Sequence, residues 1–257
     1  MALFLRKYNK GILRFTTGNA KLSKDTLIFD LPAGHACPFA LNCLAKTDKV
    51  TGKLKDGPET KFRCFSATSE ALSPQARNMR WHNFDTLRVL NTEDELVSTI
   101  LNSLKASGRL DKIAKVRVHA SGDFFNEMYF RAWMSIAKSL PNIIFYAYTK
   151  SLPYWINNSN LVPSNFKLNA SKGGKFDHLI SEHNLKFCEI VHTEKEAKLK
   201  KLKVDHNDSF AYAIDKSFAI LIHGTQPAGS DASKAMQKLR VEGINGYSRK
   251  KKLEKSI

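Results

Sequence analysis

The sequence lacks a long apolar run and contains few cysteines, and both features limit the class of protein. No stretch of the 257 residues approaches the roughly 20 consecutive apolar residues of a membrane-spanning helix. The apolar start, residues 1–5, is shorter than the about 7–15 residues of a secretory signal core. Four cysteines do not form the dense framework of a small secreted domain. We therefore expect a cytoplasmic protein with no membrane partner, whose thiols are reduced or bind metal.

Acidic residues are scarce relative to basic ones. The 41 Lys and Arg residues against 24 Asp and Glu residues give a net charge of +17 and a sequence pI near 9.7. Such a field attracts polyanions, and the resulting binding weakens with salt. A lysine-rich surface that only keeps the protein in solution is the alternative. The charge, much of it in 195–203 and 249–255, predicts a nucleic acid or phosphorylated ligand as partner.

The chain shows no internal repeat, and 42% of its residues are hydrophobic, which is ordinary for a globular protein. We predict a single α/β domain over 1–245, with an N-terminal extension at 1–20 and a cysteine-bearing loop at 32–67. Residues 246–257 are predicted to form a basic C-terminal tail.

Short β-rich runs alternate with helical patterns along most of the chain. This alternation is typical of a mainly parallel sheet with flanking helices, either doubly wound or curled, and we favour a partial (β/α)6-like barrel. The predicted strands are 26–31, 116–119, 143–148, 166–170, 186–191 and 218–222. The predicted helices are 66–89, one that begins after the capping box at 92–95, 127–139, 177–184, 193–202 and 231–240.

Polar residues repeatedly follow these strands. Parallel strands place their carboxyl ends on one edge of the sheet, where ligands bind. Ser, Thr and Asp are also common helix caps, so each segment alone is weak support for a site. The polar strand ends are 119–123, 148–150, 169–172, 192–193 and 223–226. If the protein is an enzyme without iron, His119, Asp123, Lys150 and His223 are the predicted catalytic residues.

Several of these residues have a structural alternative. His119 could be a core histidine, and Asp123 could cap the following helix. Tyr146 and Tyr148 lie on the same side of a strand, so one or both could belong to the core. Cys188 is interpreted as a small buried hydrophobic residue.

Three cysteines, Cys37, Cys43 and Cys64, follow the first predicted strand with five and twenty residues between them. Thiolates suit zinc or the iron of an iron–sulfur cluster. Three cysteines, however, complete neither the four ligands of a structural zinc site nor those of an ordinary [4Fe-4S] cluster. His35 or His82 could close a Cys3His zinc site. If the fourth position stays open, a [4Fe-4S] cluster would expose one iron to S-adenosylmethionine. Three reduced thiols without metal are the remaining alternative.

Five segments resemble the phage "gene product 88" family, and the resemblance runs from about residue 18 to residue 240. They are 31–38, 63–67, 118–124, 145–153 and 223–226. The resemblance implies a phage, prophage or plasmid gene that works in the bacterial host cytoplasm, with a link to rolling-circle replication.

The order of parts is also similar to radical S-adenosylmethionine enzymes, in which a cysteine loop follows the first strand of a partial barrel. A turn after the second strand then holds the amino group of the cofactor. The spacing here is wider than the compact C-x3-C-x2-C of that superfamily. The resemblance implies a cluster on Cys37, Cys43 and Cys64, and S-adenosylmethionine contacts from Ser121, Gly122 and Asp123, with Tyr148, Thr149 and Gln226 assigned to the same cofactor.

Two other reactions lack their motifs. None of the eight histidines forms the His-hydrophobic-His pair of a rolling-circle nickase. The His-x-Glu and Pro-Cys-x-x-Cys signature of zinc deaminases is also missing. The three cysteines and the resemblance therefore favour a radical S-adenosylmethionine-like iron–sulfur enzyme acting on nucleic acid or nucleotide. The alternatives are a non-catalytic DNA- or RNA-binding phage protein with zinc or reduced cysteines, and an enzyme without iron.

Overall fold

An eight-stranded sheet flanked by helices organises the protein in the computed structural model, which describes residues 11–18 and 22–244. The predicted tail at 246–257 lies outside the described residues, as does most of the predicted extension at 1–20. In the described part of the chain, no helix combines the length and the apolar character needed to cross a membrane.

The strands and helices follow the predicted alternation. The strands are β1 (Phe15–Thr17), β2 (Thr26–Asp30), β3 (Ala45–Thr47), β4 (Leu54–Asp56), β5 (Lys115–Ser121), β6 (Ile144–Thr149), β7 (Phe166–Ser171), β8 (Phe187–Val191), β9 (Lys203–Val204) and β10 (Phe218–Leu221). The helices are α1 (Phe65–Leu72), α2 (Pro74–Leu87), α3 (Glu93–Ala106), α4 (Glu127–Ser139), α5 (Leu152–Asn157), α6 (His178–Glu182), α7 (Glu194–Leu199), α8 (Ser209–Ala213) and α9 (Asp231–Val241).

The main sheet has the strand order β1-β2-β5-β6-β7-β8-β10-β9. β1 pairs antiparallel to β2, and the other neighbours pair parallel. From β2 to β10, neighbouring strands in the sheet follow one another in chain order. A doubly wound sheet, in contrast, has a point at which this order reverses. The mainly parallel α/β fold is thus confirmed. The further curl into a partial barrel stays a prediction.

The predicted helix over 66–89 is two helices, because Pro74 cannot continue α1. Ser73 caps α2 instead, and its side chain accepts a hydrogen bond from the Ala76 amide at 3.2 Å. The segment predicted as a cysteine-bearing loop, 32–67, contains the small β3–β4 hairpin.

The two faces of the sheet differ in composition. Val116 and Val118 of β5 point into the core formed with α3 and α4, where Trp133 is fully buried. Arg117 between them lines a cavity on the opposite face, together with Tyr148 of β6. The alternation of side chains along a strand thus separates a packed face from a ligand-accessible face.

A bulge near the end of β5 turns His119 into the core. The pairing of β2 with β5 shifts from Phe29 opposite Val118 to Asp30 opposite Ser121, and His119 has a left-handed φ of 67°. Its ring packs against Phe124 at 4.7 Å, and Nε2 lies 2.9 Å from the Tyr129 hydroxyl. Burial lowers the pKa of His119 to about 3, so the ring is neutral. Its catalytic role stays a prediction.

Asp30, Glu70 and Arg80 form a buried ionic cluster beneath the cysteine-bearing loop. The Arg80 guanidinium donates to a Glu70 oxygen at 3.1 Å and lies 3.5 Å from an Asp30 oxygen. Glu70 also accepts from the Ala33 amide at 2.8 Å, and Asp30 accepts from the Ser121 amide at 2.8 Å. The ionic cluster therefore joins the loop after β2, the helices α1 and α2, and the end of β5.

We predict that Arg80→Met destabilises the protein by about 3–5 kcal/mol, because it leaves the Asp30 and Glu70 carboxylates buried without their cation. Urea unfolding measures the change. Arg88→Met is the control, since Arg88 follows α2, is half exposed and pairs with Asp85 on the surface. It should cost no more than about 1 kcal/mol. Equal losses in the two variants would contradict the role of the ionic cluster.

The buried ring of His119 also predicts a pH dependence. The pKa of His119 is near 3 in the folded chain and 6.5 in the unfolded chain. Between pH 6.5 and pH 3 the unfolded chain therefore binds a proton that the folded chain does not. Stability is therefore lost as the pH falls from about 6.5 towards about 3, and the part lost by pH 5 amounts to about 2 kcal/mol. Asn tolerates the left-handed backbone, so His119→Asn should reduce the acid loss by that amount in denaturant titrations. Identical pH profiles would show that His119 titrates normally.

Candidate functional site

A cavity opens at the carboxyl edge of the parallel strands. Its volume is about 170 Å³, which is enough for one ring-sized group. Cys37, Cys43 and Cys64 all line it, although they are distant in sequence. The sequence-predicted residues that share this lining are His119, Ser121, Gly122, Asp123, Tyr148, Lys150 and His223.

The loop that carries Cys37 and Cys43 crosses the end of the sheet. It leaves β2 at Leu31, whose amide donates to the Ser121 carbonyl at 2.9 Å. Farther along, the Asn42 amide donates to the Gly173 carbonyl at 2.9 Å, and the Lys175 amide donates to the Phe39 carbonyl at 2.9 Å. The loop therefore extends from the end of β2 to the segment after β7.

Gly122 allows this loop to approach β5 closely. Its φ is +86°, and a Cβ at this position would lie 2.6 Å from the Leu31 Cβ. Both the left-handed backbone and the close contact favour glycine. The predicted turn 121–123 thus has a packing reason for its glycine.

The third cysteine is positioned by Gln226. The Gln226 side chain accepts from the Arg63 amide at 2.7 Å and donates to the Arg63 carbonyl at 3.1 Å. Cys64 follows as the N-cap residue of α1. Gln226 therefore joins the loop after β10 to the cysteine segment, and its predicted cofactor contact stays a prediction.

The three thiols are close enough to influence each other. Burial raises the pKa of Cys37 well above its usual value, and the charges of Asp123, Cys64 and Cys43 add to the rise. Burial, followed by the charge of Cys43, raises the pKa of Cys64 to about 11. Without a metal, Cys37 and Cys64 are therefore protonated at neutral pH, and metal binding would release their protons.

The histidines considered as a fourth zinc ligand bind elsewhere. His35 Nε2 lies 3.1 Å from the Thr47 carbonyl, and His82 Nε2 lies 2.8 Å from the Ile12 carbonyl. Neither residue lines the cavity. Within 11–18 and 22–244, no three His, Cys, Asp or Glu side chains are grouped so that they could hold one metal ion.

Asp123 joins two strand ends through its carboxylate. One oxygen accepts from the Phe124 amide at 2.8 Å and from the Thr149 hydroxyl at 2.6 Å. The other accepts from the Lys150 amide at 2.7 Å. Burial raises the pKa of Asp123 to about 6, although these hydrogen bonds oppose the rise. The predicted residues of β5 and β6 are thus brought together.

Lys150 brings a positive charge to the cavity wall. Its ammonium donates to the Ser171 hydroxyl at 2.6 Å and to the carbonyls of Ser171 and Lys172, each at 3.0 Å. These partners are neutral but use all three N–H groups of the ammonium, so Lys150 brings to the cavity its charge, which also acts on Asp123, and no free donor.

The floor of the cavity combines an aromatic ring with apolar walls. Arg117 is 2.5 Å from Asp208, and its guanidinium lies 5.2 Å from the Tyr148 ring centre. Burial raises the pKa of Tyr148 well above its usual value. The remaining wall residues of this region are Cys188, Ile190, Ile220 and Ile222.

Phe65 and His223 stand at the mouth. Their ring centres are 4.5 Å apart with an interplanar angle of 40°. His223 Nδ1 lies 3.0 Å from the Leu221 carbonyl, which orients the imidazole. The lining of the cavity thus combines aromatic rings, thiols, charged groups and isoleucines.

Sequence reasoning did not identify Phe65, Arg117 or the cavity position of Cys188 as parts of the site. Arg117 carried a signal, because it is charged and lies between Val116 and Val118 in a buried strand. Phe65 directly follows a candidate metal ligand, Cys64. Cys188 is buried, as predicted, and in addition lines the cavity.

Comparison with known proteins identifies relatives in phages. The chain is 29% identical over 127 residues to the "Gene 88 protein" of Mycobacterium phage L5, covering 47% of this chain and 46% of that protein. It is 28% identical over 127 residues to the "Gene 88 protein" of Mycobacterium phage D29, covering 47% of this chain and 45% of that protein. The chain thus spans about half the length of these curated relatives. No solved structure matches.

The family profile described as "Gene product 88" matches residues 4–240, which is most of the chain and includes all residues of the cavity. The protein therefore belongs to the gene product 88 family of phages.

Proposed function

We propose that this phage protein is an iron–sulfur enzyme similar to radical S-adenosylmethionine enzymes, and that it acts on nucleic acid or a nucleotide in the bacterial host cytoplasm. The observation that carries the proposal is the convergence of Cys37, Cys43 and Cys64 on one cavity at the carboxyl edge of the sheet. This edge is the usual ligand site of parallel α/β folds.

The donor set fits a [4Fe-4S] cluster better than a zinc ion. Soft thiolates suit both, but a cubane takes each cysteine on a different iron, so its ligands need not converge on one point. Cys37, Cys43 and Cys64 would hold three irons and leave the fourth open. When bound, such a cluster supplies the electron for reductive cleavage of S-adenosylmethionine.

The residues around the thiols have chemistry suited to that cofactor. Lys150 offers a cation to its carboxylate, and the turn at 121–123 offers backbone groups and the Asp123 carboxyl to its amino group. The Tyr148 ring offers an apolar surface, and Thr149 holds Asp123 in place. The described residues thus supply binding and orientation, with Ile190 and Ile220 excluding water from the interior.

The net charge of +17 favours a second function, that of a non-catalytic nucleic-acid-binding protein. Much of the basic excess lies in 195–203 and 249–255, and this charge supports polyanion binding with or without a cluster. The iron content of the protein separates the two functions.

We predict that protein purified without oxygen and reconstituted with iron and sulfide binds about four iron atoms per chain. Cys37→Ala and Cys64→Ala should each lose most of the iron, because each removes one of three ligands. Iron and sulfide analysis, with the visible absorbance of the cluster, measures the loss.

Cys188→Ala is the matched control, since Cys188 is a buried cysteine of the same cavity on β8 and is not among the proposed ligands. It should retain the full iron content. Wild-type protein that takes up no iron would contradict the proposed enzyme and leave the binding function.

A further inference from the structure

We propose that Phe65 is a stacking platform for one unpaired base of a single-stranded nucleic acid, which it receives at the mouth of the cavity. The proposal deepens the proposed function, on whose nucleic-acid substrate it rests. It assigns a recognition role to a side chain outside the cysteines and the predicted cofactor residues.

The exposure of Phe65 is unusual for its type. It is 38% exposed, and among the large hydrophobic residues exposed in 11–18 and 22–244 it is the only aromatic one. Single exposed aliphatic residues are common on protein surfaces, but this ring lines a cavity. Position and type together therefore indicate a contact with a ligand.

The ring is held in a defined orientation. Phe65 is the first residue of α1, and its ring packs at 4.5 Å on the His223 ring. Gly224 allows this packing, because a Cβ there would lie 2.8 Å from the Phe65 Cβ. A platform fixed in this way loses little side-chain entropy when a ligand stacks on it.

The surroundings favour a nucleobase over other flat ligands. Arg63 precedes the cysteine and lines the same cavity, and Lys61, two residues earlier in the sequence, is exposed. Arg63 is paired with Asp56, so Lys61 and the overall charge of +17 supply the attraction to phosphates. Aromatic rings beside a basic surface are the usual design for binding single strands.

The base must be unpaired. Bases inside a duplex present no free face to a protein ring, so stacking requires a single strand or a base turned out of the helix. The cavity behind Phe65, about 170 Å³ in volume, has room for one ring of that size.

Fluorescence anisotropy with labelled single-stranded DNA and RNA at low salt tests the platform. Phe65→Leu keeps an apolar side chain but removes the flat ring, and should weaken binding roughly tenfold. Phe65→Tyr should bind within about twofold of wild type, because it retains the ring. Leu72→Ala is the control, since Leu72 is a 77% exposed residue at the other end of α1, and it should leave binding unchanged.

A second arm uses strands whose bases are replaced by abasic sites. Wild type and Phe65→Leu should bind these equally, because no base remains to stack. A Phe65→Leu protein that binds normal strands like wild type, or that is weakened equally on abasic strands, would overturn the platform and leave nucleic-acid binding intact. If wild type binds no strand at low salt, the platform and the nucleic-acid part of the proposed function both fail, whatever the iron content.

Discussion

The buried ionic cluster of Asp30, Glu70 and Arg80 is the constraint on which the cavity depends. Three charges removed from water are stable only if each is paired and hydrogen bonded. Here the pairing uses groups from β2, α1 and α2, and one oxygen of Glu70 and one of Asp30 also accept the amides of Ala33 and Ser121. These contacts therefore fix the loop, the helices and the strand end in one mutual arrangement that pairs the charges.

From this arrangement the site follows by short steps. The cysteine-bearing loop starts at the ionic cluster and is attached at its far side to Gly173 and Lys175 after β7. Cys64 is attached separately, through Gln226, to the loop after β10. Two thiols thus reach the cavity on one loop and the third at the start of α1, which explains how cysteines so widely spaced in sequence line the same cavity.

Much of the sheet was predictable because its strands are apolar runs bounded by turns, as in β6 and β10. The break between α1 and α2 at Pro74 was missed because the helical pattern continues across it. The β3–β4 hairpin was missed because its residues are mostly polar. The strand-end residues Asp123 and Lys150 were predicted to meet, because parallel strands share an edge. The ionic cluster was not predictable, since Asp30, Glu70 and Arg80 have no sequence spacing that relates them.

We propose that three cysteines bind a cluster whose fourth iron is open to S-adenosylmethionine. The most direct test is the electron paramagnetic resonance spectrum of the reduced, reconstituted protein, recorded before and after S-adenosylmethionine is added. An open iron predicts a [4Fe-4S] signal whose shape changes when the cofactor binds. A cluster signal that the cofactor leaves unchanged would contradict it.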